Sequence, residues 1–142
     1  MKTSKVTIVM RTVLGLMFIV GPLTTALRLA PQPPLPAGAA AFTGALARTG
    51  YFLPMLWTVE IAAGALLISG FATPLALVIL APIIVNIATF HLFLAPSGVA
   101  AAIMISALEL TLAWRQRTAF RSLFVTRRQI AADSARTPMR AA

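Results

Sequence analysis

Long apolar runs alternate with short polar breaks along this chain, and the lengths of the runs decide the first question. A membrane-crossing helix needs roughly 17–25 mostly apolar residues, because the hydrocarbon core is about 30 Å thick. Four runs reach that length: 6–27, 51–70, 74–95 and 98–114. Gly70-Phe-Ala-Thr-Pro74 separates the second from the third, with Pro74 placed to open a helix. Pro96-Ser97-Gly98 breaks the third from the fourth. The pattern predicts an all-α fold, a polytopic membrane four-helix bundle over residues 1–128, and a disordered tail over 129–142. Met1–Lys5 ahead of the first run imitates a secretory signal. Arg11 interrupts that run and no A-x-A site follows it, so it is expected to remain as a span.

The connection 28–50 is the one sizeable segment outside these runs. Pro31, Pro33, Pro34 and Pro36 favour polyproline II in its first half. In its second half, Phe42, Ala45, Leu46 and Thr49 share one helical face. A short helix over Ala37–Thr49 is expected on the outer membrane surface. It reads as a cap over the bundle, with a substrate-gating lid as the alternative.

Composition agrees with the pattern. The chain of 142 residues is 59% hydrophobic and 11% charged, with mean hydropathy +0.90. Soluble domains carry about 25% charged residues, so a soluble or disordered chain is excluded. There is no cysteine, which removes disulfides, thiolate metal sites and thiol–disulfide exchange. One His and three acids supply too few ligands for a protein-only metal or haem site. No catalytic constellation is recognisable, and no catalytic or metal residue is assigned.

The net charge of +9 changes the picture only through its placement. Lys2, Lys5 and Arg11 stand at the start and seven arginines follow Trp114, while no Lys or Arg occurs from Thr49 to Trp114. Such a chain does not read as a nucleic-acid-binding domain. By the positive-inside rule both termini are expected in the cytoplasm, with the protein in the cytoplasmic (inner) membrane. Arg115, Arg117, Arg121, Arg127 and Arg128 accompany an apolar face of Ala119, Phe120, Leu123 and Phe124. This pattern suits membrane lipid headgroups; a docking site for a soluble partner is the alternative.

Polar residues inside the spans carry the candidate chemistry, since a mid-bilayer charge costs at least ~2.5–3.5 kcal/mol on insertion scales. Arg11 lies six residues inside Lys5 and Glu109 six inside Arg115, both about 9 Å from the same boundary. Their matched depth predicts a structural ion pair between the first and fourth spans, with Gly15 allowing close approach and Ser106 nearby. Glu60 and Asn86 both fall near the midplane, which predicts a contact between them. Trp57 and Gly64 share the face of Glu60, and Pro82 precedes Asn86 by one turn. His91 lies nearer the outer surface, about 140° round its helix from Asn86. It reads as a packing or interfacial residue, with a proton-relay or quinone-contact role as the alternative.

These residues also carry a resemblance. The run from Ala41 to Pro54, then Glu60 with Gly64-Ala-Leu-Leu-Ile-Ser-Gly70, resembles the DoxX family of small membrane proteins. Arg11 with Leu14-Gly-Leu-Met-Phe18, Pro74-Leu-Ala-Leu, Pro82-Ile-Ile-Val-Asn86, Phe90-His91-Leu-Phe, Trp114-Arg115 and Phe120-Arg121 extend the likeness from about Arg11 to Phe124. Each motif is short and apolar; their order and spacing carry the match. The resemblance implies a four-helix membrane bundle from a family named for a subunit linked to quinol oxidation and thiosulfate-dependent quinone reduction. It implies quinone as the cofactor to consider and a redox or other membrane protein as partner. Thiol-type relatives use cysteines, and this chain has none. The expected function is therefore a DoxX-like accessory or non-catalytic membrane subunit associated with quinone or redox partners. One alternative is a small-molecule transporter with a midplane site around Glu60 and Asn86. Another is a structural anchor recruiting a partner through its Arg-rich tail.

Overall fold

The computed structural model describes residues 4–29, 31 and 34–120. Among them the element order is α1 (Lys5–Ala26), α2 (Ala37–Arg48), α3 (Phe52–Ser69), α4 (Thr73–Phe93), a 3₁₀ turn (Pro96–Gly98), α5 (Val99–Arg115) and the short α6 (Arg117–Phe120). Helices α1, α3, α4 and, together with the 3₁₀ turn before it, α5 fall on the four runs, and each is apolar and long enough to cross a membrane. No strand occurs among the described residues. The residues from Arg121 onward, including the remainder of the basic apolar-faced tail and 129–142, lie outside the described part.

Successive spans run up and down, and their contacts close a ring. α1 packs on α3, α3 on α4, α4 on α5, and α5 back on α1. The termini end of the ring is filled by Leu14, Leu67, Leu77, Leu80 and Leu112, all fully buried. Ala76 joins it at the termini end, and Phe18, Ala63 and Ile84 extend this core toward the loop end. The outer faces are the reverse of a soluble protein. Val9, Val20, Met55, Val85, Ile103 and Leu110 are all exposed, and an apolar exterior on every spanning helix suits lipid rather than water.

Helix ends follow from local chemistry. After α1, Arg28 takes a left-handed conformation (φ 52). Arg28 N–H then donates to Thr25 O at 3.3 Å and Leu29 N–H to Thr24 O at 3.0 Å, closing a Schellman motif. α3 ends on Gly70 at φ 72. A residue here must be left-handed and must leave room, because the Arg11 guanidinium occupies the place where a side chain at 70 would stand. Pro82 sits inside α4 on its exposed side and removes a donor from the Val78 carbonyl.

α2 lies across the loop end against α3, and its Phe42 ring meets Phe90 of α4 at 5.8 Å. The sequence placed Phe42, Ala45, Leu46 and Thr49 on its inner face. The structure turns the helix by about one residue, so that Ala39 is buried, Thr43 and Leu46 are half-buried, and Ala45 and Thr49 are exposed. Four crossings require that cysteines at Ser4 and Thr118 react with an impermeant reagent from one side of a sealed vesicle, and a cysteine at Thr49 from the other. Reaction of all three from one side contradicts the four-span arrangement.

Candidate functional site

α1 and α3 approach most closely at Gly15 and Gly64. A Cβ on Gly15 would stand 2.7 Å from Gly64 O, and a Cβ on Gly64 would stand 2.7 Å from Gly15 O. This mutual contact pins the two helices near their middles. Beyond it, toward the loop end, the four spans line an open cavity of about 360 Å³. Met17, Phe18, Gly21, Pro22 and Thr25 of α1 form one wall, and Trp57 and Glu60 of α3 another. Ile87 and His91 of α4 and Ile105 of α5 complete the lining.

Glu60 sits about 12 Å along α3 from its first residue, at the rise of an α-helix. It is 8% exposed, and among the described residues its carboxyl has no hydrogen-bond partner. The Trp57 indole, expected from its spacing to donate to that carboxyl, shares the cavity without bonding to it. Pro22 contributes a second polar feature. Lacking an N–H, it leaves the Phe18 carbonyl without its usual donor one turn on.

His91 stands nearer the mouth. Its Nδ1 lies 3.0 Å from Ala95 O, and a carbonyl only accepts, so Nδ1 carries the proton. In the tautomer with its proton on Nδ1, Nε2 is the acceptor. The ring packs edge-on to Phe90 at 5.2 Å and fills the space beside Gly98. His91 therefore locks the turn between α4 and α5 while also lining the cavity. His91→Ala is expected to lower stability in detergent by about 1 kcal/mol, the usual net value of one hydrogen bond; an unchanged Tm would show that the turn holds without it.

Two pairings expected from matched depth do not form. Asn86 does not meet Glu60. The buried stripe of α4 runs Leu77, Leu80, Ile84 and continues through Ile87 and His91, whereas Asn86 lies on the exposed side. Equal depth put Asn86 level with Glu60, but its angular position takes it away from the core. Arg11 and Glu109 form no ion pair: Arg11 Nε and Glu109 Oε2 are both buried without a partner. Arg11 lies on the side of α1 that faces α3, and its guanidinium reaches the C-terminus of α3 at Gly70. That is the negative end of a helix dipole, a favourable seat for a cation. The polar link between α1 and α5 is made instead by Arg115, whose Nε donates to Thr7 Oγ1 at 2.9 Å.

The α1 wall of the cavity was missed by sequence reasoning. Gly21-Pro22 inside an apolar run is the signal that points to it, since a proline in a span frees a carbonyl that a cavity can use. Among the described residues no group of three His or acidic side chains is placed to hold a metal ion. The four apolar helices and their ring define the class: a multi-pass α-helical membrane protein. Compared with protein-family models, curated proteins and solved structures, the chain matches none of them.

Proposed function

We propose that the protein is a small membrane subunit of DoxX type that binds a hydroxyl-bearing ring, a hydroquinone, in the cavity between Glu60 and His91. The observation that carries this reading is the buried, unpartnered Glu60 carboxyl facing a cavity of about 360 Å³. That size falls within the roughly 300–1,000 Å³ of small-molecule sites. Both polar side chains offer acceptors, a carboxyl oxygen of Glu60 and Nε2 of His91, so they suit a ligand with two hydroxyl donors. Phe18, Met17 and Trp57 supply the apolar walls that a ring requires. The resemblance in sequence to a family associated with quinone chemistry supports the same choice. In this reading the protein holds or delivers the ligand to a redox partner and performs no chemistry of its own.

Permeation is the weaker reading. The termini end is closed by the fully buried leucines 14, 67, 77, 80 and 112, so the cavity does not continue through the bundle. The placement of basic residues supports a cytoplasmic-membrane location with the termini inside, and on that assignment the cavity belongs to the outer leaflet.

Trp57 lines the cavity while Trp114, the other tryptophan, is exposed. A Trp114→Phe protein in lipid nanodiscs is expected to show saturable quenching of Trp57 by a short-chain hydroquinone under reducing conditions. The oxidised quinone, which has no hydroxyl donors, is expected to bind more weakly. Linear, unsaturable quenching by both forms would reduce the cavity to a packing defect.

A further inference from the structure

The outward side of α4 and α5 carries features that hydrocarbon does not satisfy. Two shallow cavities of about 350 and 320 Å³ follow the seam between these helices and share Ala88, Ser106 and Leu110. Ala81, Ala102 and Ala107 also line them, so another helix can approach the backbone closely. Glu109 lies in the lining of the second, 6% exposed, with Oε2 unpartnered. On the other flank of α4, Asn86 is exposed near mid-span, and its amide has no hydrogen bond among the described residues. A lone buried carboxyl oxygen and a lone amide facing lipid are both costly in a bilayer.

We infer that this seam is where a second copy of the chain docks, with α4 of each copy seated beside the α4/α5 groove of the other. Three relations favour a second copy over any other occupant. Glu109 shares the groove lining with Ala81, Val85 and Thr89 of α4, and Asn86 falls within the stretch of α4 that these residues span. At about 100° per residue, Asn86 lies on one side of Val85 and the groove residues Ala81 and Ala88 on the other. A two-fold axis along the membrane normal brings unlike flanks of two parallel helices together, and so brings Asn86 of each copy toward the groove of its mate. The chemistry is also complementary, because a primary amide offers a donor and an acceptor and satisfies a carboxyl in either protonation state. Between the flanks, Leu75, Val78, Val85 and Leu92 present an exposed apolar seam for the contact itself.

The native chain has no cysteine, which makes the test direct. Val85→Cys in the full chain in liposomes is expected to form disulfide-linked dimers under a mild oxidant, whereas Val59→Cys, exposed on α3, is not. Adding Asn86→Leu, a change on the exposed surface, is expected to lower the Val85→Cys dimer yield roughly tenfold, as loss of an interhelical hydrogen bond allows. Adding Glu109→Gln should preserve the yield, since the amide still bonds. Equal crosslinking at positions 85 and 59, or a yield indifferent to Asn86→Leu, overturns the proposal. A Val85→Cys protein that stays monomeric and retains lipid instead also overturns it and assigns the groove to lipid.

Discussion

Gly64→Leu is expected to abolish folding of the bundle, and Gly64→Ala to weaken it by about 1–3 kcal/mol, the usual cost of overpacking a filled interface. The atom in the way is Gly15 O, a backbone oxygen 2.7 Å from the new Cβ, with Ile19 Cγ1 at 2.9 Å. A side chain could rotate aside, but a backbone oxygen moves only if α1 moves. α1 is held on its other flank by the Thr7–Arg115 bond and the buried leucines, so the strain has no cheap outlet. Gly15→Ala meets Gly64 O in the same way and should cost a similar amount. Gly21→Ala is the internal control. Nothing lies within 4 Å of its Cβ, and Ala gains about 1 kcal/mol over Gly in helix propensity, so it should be neutral or stabilising. Thermal unfolding of the three single variants in one detergent separates the cases, and equal Tm values for Gly64→Ala and Gly21→Ala would contradict the tight crossing.

The second large effect concerns Glu60. Glu60→Leu is expected to weaken hydroquinone binding by up to roughly tenfold, corresponding to loss of a hydrogen bond worth about 0.5–1.5 kcal/mol. Stability should stay level or rise in the same variant, because an unpartnered buried polar group costs about 1–3 kcal/mol and leucine has none. Glu60→Gln keeps the shape and one acceptor, so it should fall between leucine and the native residue. Opposite signs on binding and stability are the mark of a site residue. If Glu60→Leu lowers Tm and leaves binding intact, Glu60 is a packing residue.

The fold was legible because a bilayer imposes a length on every apolar run, and the two short turns carry Gly and Pro where α3 and α4 end. The candidate site was legible in part. Depth along a helix can be counted from a boundary at 1.5 Å per residue, which placed Glu60 at mid-span. Angular position cannot be counted the same way when nearly every residue is apolar, because no polar face marks the outside of a span. That is why Asn86 was matched to Glu60 and Arg11 to Glu109, each pair level and each turned apart. The stripe Leu77, Leu80, Ile84, Ile87, His91 contains the missing angle, but its neighbours Val78, Val85 and Leu92 are equally apolar in sequence. The rotation of α2 was hidden for a similar reason, since Ala39 and Ala45 differ only in what they touch.

The account stands on a ligand occupying the cavity between Glu60 and His91, and a photoreactive hydroquinone analogue reads that position directly. Irradiation of the full chain in nanodiscs, followed by peptide mapping, should place adducts on the α1 wall around Met17–Thr25 and on α3 at Trp57. An excess of unlabelled hydroquinone should suppress them. Adducts confined to outward-facing residues such as Val85, Phe93 and Leu110, unaffected by competitor, would contradict the account.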